Sequence, residues 1–310
     1  YGVSITNTVD SFIVNQLGGP EISRYILAPL CVGLMTLALA FGNAIMLKIA
    51  QFVVYPLIVA LAAVSLYLIP QWDLGSFLEA GDHSAGGVLK AIILILPVLV
   101  FSFSFVAAIS QFSLGMEEEY GADHHAQSDK VIRNSAILLT IFTMFFVWSC
   151  ALAMGADGMQ EANDKNLPVL SYFANETGTQ FMAYMAPIVV ICAVASSYFG
   201  HALGTIEGTQ YLFNLGAPKA TKKMSTRTLD LWTYLFIFVS TSLIGIFNPS
   251  ILDMISVVGG VFFAFMTYLL PIWVIYRVEA LARFRGNKTN YFVAIMGLIV
   301  LFATIWGMFQ

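Results

Sequence analysis

The stretch Val88 to Phe112, VLKAIILILPVLVFSFSFVAAISQF, decides how the chain is read. It exceeds the ~20 apolar residues that cross a bilayer, yet it carries Pro97 and then the hydroxyls Ser102, Ser104 and Ser110 at or beyond its middle. In hydrocarbon the backbone N–H and C=O groups find no water, so a weakened helix survives only where it faces protein, a cavity or a ligand. A broken span therefore points to a binding site, because half-helix N-termini offer N–H groups to an anion and unwound carbonyls hold a cation. The alternative is an unbroken, mildly polar span whose serines bond to its own backbone against a neighbour.

Composition sets the class. The chain has 310 residues, 59% hydrophobic and 10% charged, with a mean hydropathy of +0.82. No soluble domain of this length hides so much apolar surface, so an all-α polytopic protein of the lipid bilayer is expected. Helix-length runs rich in Leu, Ile, Val and Phe argue against a barrel, whose strands would alternate polar with apolar residues. The net charge of -4 gives no support to a nucleic-acid partner. Cys31, Cys150 and Cys192 are too scattered for a disulfide framework or a thiolate metal site and read as small packing residues. An intramembrane enzyme would need a constellation such as HExxH, or GxSxG with a His, and a channel a continuous polar lining; neither is present. No catalytic residue and no cofactor is expected.

Taken in order, the spans expected in a single transmembrane domain are 1–17 (partial), 25–41, 46–69, 88–113, 135–154, 181–214, 231–247, 251–278 and 291–309. The opening YGVSITNTVDSFIVNQLGG lacks Met and a signal-peptide core, and reads as the outer half of a severed span, so a fragment is expected. Gly42, Asn43, Ala44 and Ile45 join a helical hairpin, and Asp73, Glu79 and Asp82 make an acidic loop before the broken span. Glu117, Glu118, Glu119, Asp123, His124 and His125 lie in a hydrophilic run that reads as a solvated loop rather than a metal site. Alternating the loops puts eleven of the 14 Lys and Arg on one side, among them Lys219, Lys222, Lys223, Arg277 and Arg283, and leaves Arg24, Lys90 and Lys165 on the other. The first side is then cytoplasmic and the C-terminus outside. Asn175, Glu176 and Thr177 form an outer sequon. FGNAIMLKI (Phe41 to Ile49) and FNPSILDMI (Phe247 to Ile255) open spans of opposite orientation, a faint sign of an inverted repeat.

With these features the chain resembles the bacterial hydroxy and aromatic amino acid permeases, most closely the serine/threonine branch. The resemblance is carried by SITNTV (Ser4 to Val9), YLIPQW (Tyr67 to Trp72), VFSFSF (Val100 to Phe105), EEYG (Glu118 to Gly121), FFVWSC (Phe145 to Cys150), LSYFAN (Leu170 to Asn175), FGHALGTIEG (Phe199 to Gly208) and NPSILDMI (Asn248 to Ile255). It implies an inner-membrane symporter of the LeuT type, with two inverted five-helix repeats and a final extra helix, and no cofactor beyond a coupling ion. In that register the chain starts partway through span three, and spans one and two are absent. The broken stretch is then span six, and the Gly-rich stretch near Gly200 span eight.

The resemblance implies a small amino acid substrate, serine or threonine, held by the unwound part of span six: Phe103, Ser104 and Phe105, with Ser102 beside them. Span three would add Ser4 or Asn7, and span ten Gly259 and Gly260, whose other reading is close helix packing. Two departures from the branch stand out. Where it reads like FSFNHSP, this chain has FSFSFVA at Phe101 to Ala107, which opens an aromatic amino acid carrier as the alternative. Where it reads like T-K-S-F-x-G-H, this chain has Ala195, Ser196, Ser197, Tyr198, Phe199, Gly200 and His201. A hydroxyl replaces an ammonium there, so Ser196 and Ser197 are candidate Na⁺ ligands and His201 a candidate proton relay. The coupling ion, H⁺ or Na⁺, stays open, as does the oligomeric state.

Overall fold

Ser84, Ser225 and Ser250 each stand one residue ahead of a helix and accept a backbone N–H from Gly87 (3.0 Å), Thr228 (3.2 Å) and Asp253 (3.2 Å). These N-caps satisfy donors that the first turn of a helix leaves free. The computed structural model describes residues 1–40, 43–79, 83–176, 179–221 and 224–309, and over them it contains helices and no strand. Phe41 and Gly42 of the hairpin connection and of the first echo, Asp82, the sequon's Thr177, and Lys222 and Lys223 lie outside the described residues.

The helices are α1 (Gly2–Ser11), α2 (Arg24–Leu39), α3 (Asn43–Leu68), α4 (Leu74–Glu79), α5 (Ala85–Phe103), α6 (Val106–Tyr120), α7 (His124–Asp164), α8 (Val169–Glu176), α9 (Gln180–Gly216), α10 (Pro218–Thr221), α11 (Thr226–Phe247), α12 (Ile251–Val257), α13 (Leu270–Arg277) and α14 (Thr289–Gly307). Among the described residues six helical stretches are long and apolar enough to cross a membrane. With the exposed apolar side chains of Phe52, Tyr55, Ile92, Phe292 and Phe302, this is a multi-pass membrane protein.

Several local features follow from single residues. Gly155 takes φ 66° and kinks α7 after its apolar part. At 1.5 Å per residue the 37 residues of α9 extend about 55 Å, well beyond the ~30 Å hydrocarbon core. The run from Gly115 to Asn134, read from sequence as a loop, is exposed but largely helical. Its Glu and Ala residues favour helix, and α6 and α7 continue past their apolar parts until Gly121, at φ 51°, separates them. Between α12 and α13 the backbone widens into π-helical turns at Val258–Phe263 and Phe265–Leu269. Pro271, which has no N–H for the preceding turn, follows directly.

Two compact units result. The first, Tyr1–Glu79 with Ala107–Pro249, packs α2 on α11, α3 on α7 and α9, and α1 against α2, α9 and α11. Its core holds Leu27, Val32, Leu39, Val64, Leu68, Met182 and Val189. A buried hydrogen bond of 2.8 Å between Thr36 and Tyr198 ties α2 to α9. The second, Ala80–Val106 with Ser250–Gln310, packs α5 against α12, α14 and the first π-helical turn.

In the second unit Gly259 and Gly260 are buried contact points. A Cβ on Gly259 would meet the Pro97 carbonyl and lie 2.8 Å from Phe101 Cβ, and one on Gly260 would overlap Thr304 and lie 2.5 Å from its Cβ. By contrast, nothing lies within 4 Å of a Cβ built on Gly200. Gly260→Ala is therefore expected to lower stability by about 1–3 kcal/mol, the usual cost of overpacking, and Gly200→Ala to leave it unchanged. Thermal unfolding of the two purified variants checks this. Equal melting of both would contradict the packing described.

Candidate functional site

In the second unit, α5 passes through Pro97 without ending and stops at Phe103. Ser104 then takes φ -84° and ψ 132°, an extended conformation, and α6 begins at Val106. The Ser104 N–H reaches the Phe101 carbonyl at 3.4 Å, and the Ser104 hydroxyl accepts weakly from the Val106 N–H at 3.5 Å. An interruption of this kind frees carbonyls at the end of one helix and N–H groups at the start of the next. Ser102 donates to the Val98 carbonyl at 2.8 Å within α5, and Phe105 is exposed. Phe103 and Ser104 line a cavity of about 200 Å³ with Thr267 and Tyr268; the Thr267 hydroxyl is buried without a hydrogen-bond partner. Gly259 lies against Phe101, two residues before Phe103, and Phe101 packs edge-on against Phe263 at 5.3 Å.

In the first unit, α1 carries Ser4, partly buried, and Asn7, which is buried and held by protein on both ends of its amide. The Asn7 Nδ2 donates to the Asn166 carbonyl (2.7 Å) and to Asn248 Oδ1 (3.1 Å), and its Oδ1 accepts from Arg24 (2.6 Å). Arg24 also donates to the Gly245 carbonyl at 2.7 Å. Asn166 and Asn248 both sit at φ 51°, and the Asn166 Nδ2 donates to Asn248 Oδ1 at 3.0 Å. Asn tolerates the left-handed region better than other side chains. This clamp borders a polar cavity of about 810 Å³ that also touches Asp10, Gln16, Lys165 and Asn175. The Asn175 amide is spent on Ser11, to which it donates at 3.0 Å.

Beside the clamp, Lys165 Nζ lies 2.6 Å from Glu161, and the Tyr172 hydroxyl donates to Glu161 at 2.6 Å. The Lys165 contact first and the Tyr172 bond second hold the Glu161 carboxyl below its ordinary range. In return the Glu161 bond, helped by burial, pushes Tyr172 up to about 12.

On α9 of the same unit, Ser196 donates to the Ala193 carbonyl at 3.0 Å. His201 Nδ1 lies 2.9 Å from the Ser197 carbonyl and 3.3 Å from the Tyr1 hydroxyl, with the two rings 5.1 Å apart. A carbonyl only accepts, so Nδ1 carries the hydrogen in this arrangement and Nε2 takes any second proton. Further along, Gln111 donates to Glu207. Ser196, Ser197 and His201 thus occupy one helix with Tyr1 beside them. The clamp of Arg24, Asn166 and Asn248 escaped the reading of the sequence, although Arg24, a cation on the side poor in basic residues, was its one available signal.

A multi-pass helical membrane protein with an interrupted apolar helix fits the class of membrane carriers. The chain belongs to the family of transmembrane amino acid transporters, whose model matches residues 22–310. It is 35% identical to the serine transporter SdaC of Escherichia coli (strain K12) over 315 residues, covering 100% of this chain and 73% of that protein. It is 36% identical to the threonine/serine transporter TdcC of Yersinia enterocolitica over 327 residues, covering 99% of this chain and 74% of that protein. No solved structure matches significantly. The protein is an amino acid transporter of the hydroxy amino acid permease branch, not an enzyme.

Two outcomes follow from the clamp and its neighbour. Hydrogen bonds to a charged group contribute about 1.5–3 kcal/mol each, so Arg24→Gln should lower the thermal midpoint by several degrees, and Arg24→Lys should recover less than half of the loss. Glu161 has a depressed folded-state pKa, so its contribution is fully present above the unfolded value of about 4.3 and is lost as pH falls through the folded value. The difference in melting between wild type and Glu161→Gln should be constant above about pH 5 and shrink on acidification below about pH 4. A difference that grows on acidification would contradict the Lys165 and Tyr172 contacts.

Proposed function

We propose that the protein is a secondary active symporter that imports a small hydroxy amino acid, serine or threonine, across a bacterial inner membrane by alternating access. The observation that carries this reading is the interruption of the apolar helix at Ser104 and Phe105 in a chain about one-third identical to serine transporters. The amino acid's carboxylate and ammonium would be held largely by the free backbone groups around Phe103, Ser104 and Phe105, with Ser102 close by. A cavity of about 200 Å³ beside Ser104 falls below the ~300–1,000 Å³ of drug-sized ligand pockets, which supports a small substrate over an aromatic one. The arrangement in the membrane would be the LeuT-type inverted repeat, with the basic loops in the cytoplasm and the C-terminus outside.

For coupling, the proton is the first reading. His201 is held at Nδ1 by the Ser197 carbonyl, and its imidazole is the side chain suited to carrying a proton as α9 changes its surroundings. Sodium is the second reading, favoured by the adjacent hydroxyls: Ser196 gives its proton to Ala193 and keeps its lone pairs for a hard cation.

Uptake of labelled serine into proteoliposomes under an imposed proton or sodium gradient tests both. Accumulation is expected with the proton gradient, and His201→Gln should abolish accumulation while leaving serine exchange intact. Accumulation driven by sodium alone would move coupling to Ser196 and Ser197. Transport of tryptophan in place of serine would overturn the substrate class. Ser104→Leu should cut uptake at least about tenfold, the equivalent of roughly 1.4 kcal/mol of lost binding, with expression unchanged.

A further inference from the structure

We propose that the connection between α13 and α14, residues 277–288 of the second unit, is a binding site for the phosphodiester headgroup of an anionic phospholipid. This connection holds four cations, Arg277, Arg283, Arg285 and Lys288, and a single carboxylate, Glu279. Arg285 is spent on folding it. Its Nε donates to the Ile275 carbonyl (3.0 Å), and its Nη2 donates to the Val278 carbonyl (3.2 Å) and to Glu279 (3.2 Å). The Tyr276 hydroxyl closes the loop by donating to the Arg285 carbonyl at 3.2 Å. At the far end Asn290 donates to the Phe284 carbonyl at 2.8 Å. Glu279 is thereby neutralised by the one arginine that serves as a brace.

Arg277, Arg283 and Lys288 remain exposed, and among the described residues none of them is in a salt bridge. Two are positioned by aromatic rings: the Arg277 guanidinium lies 5.9 Å from the Trp273 ring centroid, and that of Arg283 lies 4.7 Å from the Phe284 centroid. The depth of the loop follows from its flanks. Trp273 (58% exposed) and Tyr276 precede it, and Tyr291 (69%) and Phe292 follow it. Aromatic rings at the ends of spanning helices settle at the level of the headgroups. Three uncompensated cations on a braced loop at that depth complement a phosphodiester, which carries one negative charge and acceptor oxygens suited to the guanidinium fork. The bracing means that little freedom is left to lose on binding.

The test is native mass spectrometry of the detergent-purified protein titrated with phosphatidylglycerol or with phosphatidylcholine of the same acyl chains. Wild type should retain phosphatidylglycerol preferentially. Each cation near an anionic lipid surface contributes about fivefold in affinity, so a variant combining Arg277→Gln, Arg283→Gln and Lys288→Gln should bind phosphatidylglycerol roughly a hundredfold more weakly, with phosphatidylcholine unchanged. Should the combined variant fail to fold, Arg283→Gln alone carries the test, with about a fivefold loss expected. Wild-type indifference to headgroup, or full retention by these variants, overturns the proposal. Competition by inorganic phosphate at the concentration of the lipid would overturn the lipid as the source of the phosphate group. Serine uptake is not the readout, so the outcome is independent of the transport mechanism.

Discussion

A backbone amide or carbonyl left unpaired in hydrocarbon costs several kcal/mol, and the architecture of this protein depends on how it handles that cost at one place. The helix α5 runs through Pro97, which has no N–H to give the turn before it, stops at Phe103, and is followed by α6 from Val106. The interruption is covered only partly from within, by a 3.4 Å backbone contact and a 3.5 Å contact to the Ser104 hydroxyl. Several hydroxyls in the spans are satisfied more fully. Thr6, Ser102, Thr140, Thr233 and Thr304 each donate a hydroxyl to the carbonyl one turn back, which satisfies the hydroxyl hydrogen within the helix.

Within each unit, polar groups differ in how far protein contacts engage them. Asn7, read from the sequence as a candidate substrate contact, has both of its amide hydrogens and its oxygen engaged by Asn166, Asn248 and Arg24. Gly259 and Gly260 fit neighbouring helices too closely for any side chain. Ser104 differs, because its hydroxyl only accepts weakly from the Val106 N–H. The π-helical turns at Val258–Phe263 and Phe265–Leu269 are of a kind common in functional segments.

Much of this was legible in the sequence, and for identifiable reasons. Long apolar runs have one stable form in lipid, so the helices and the turn at Asn248 and Pro249 could be read from composition and periodicity, whereas the place of the interruption after Phe103 came from the family resemblance. The Asn175 sequon illustrates the opposite case, since its amide is committed to Ser11 by a contact across 164 residues. The clamp is hidden for the same reason: Arg24 and Gly245 are 221 residues apart, and no local pattern records such a pairing. The helical character of Gly115 to Asn134 was masked by its charge, because polarity signals exposure and says little about backbone conformation.

The proposed place of substrate engagement is where α5 gives way to α6. Its most direct test places a cysteine at Ser104 in protein whose Cys31, Cys150 and Cys192 are replaced by alanine, and follows alkylation by a small thiol reagent with and without serine. Saturating serine should slow the reaction severalfold, while glycine betaine, which cannot offer a free ammonium, should not. Alkylation at the same rate with and without serine, in protein that still binds labelled serine, would contradict the assignment of the site to this helix interruption.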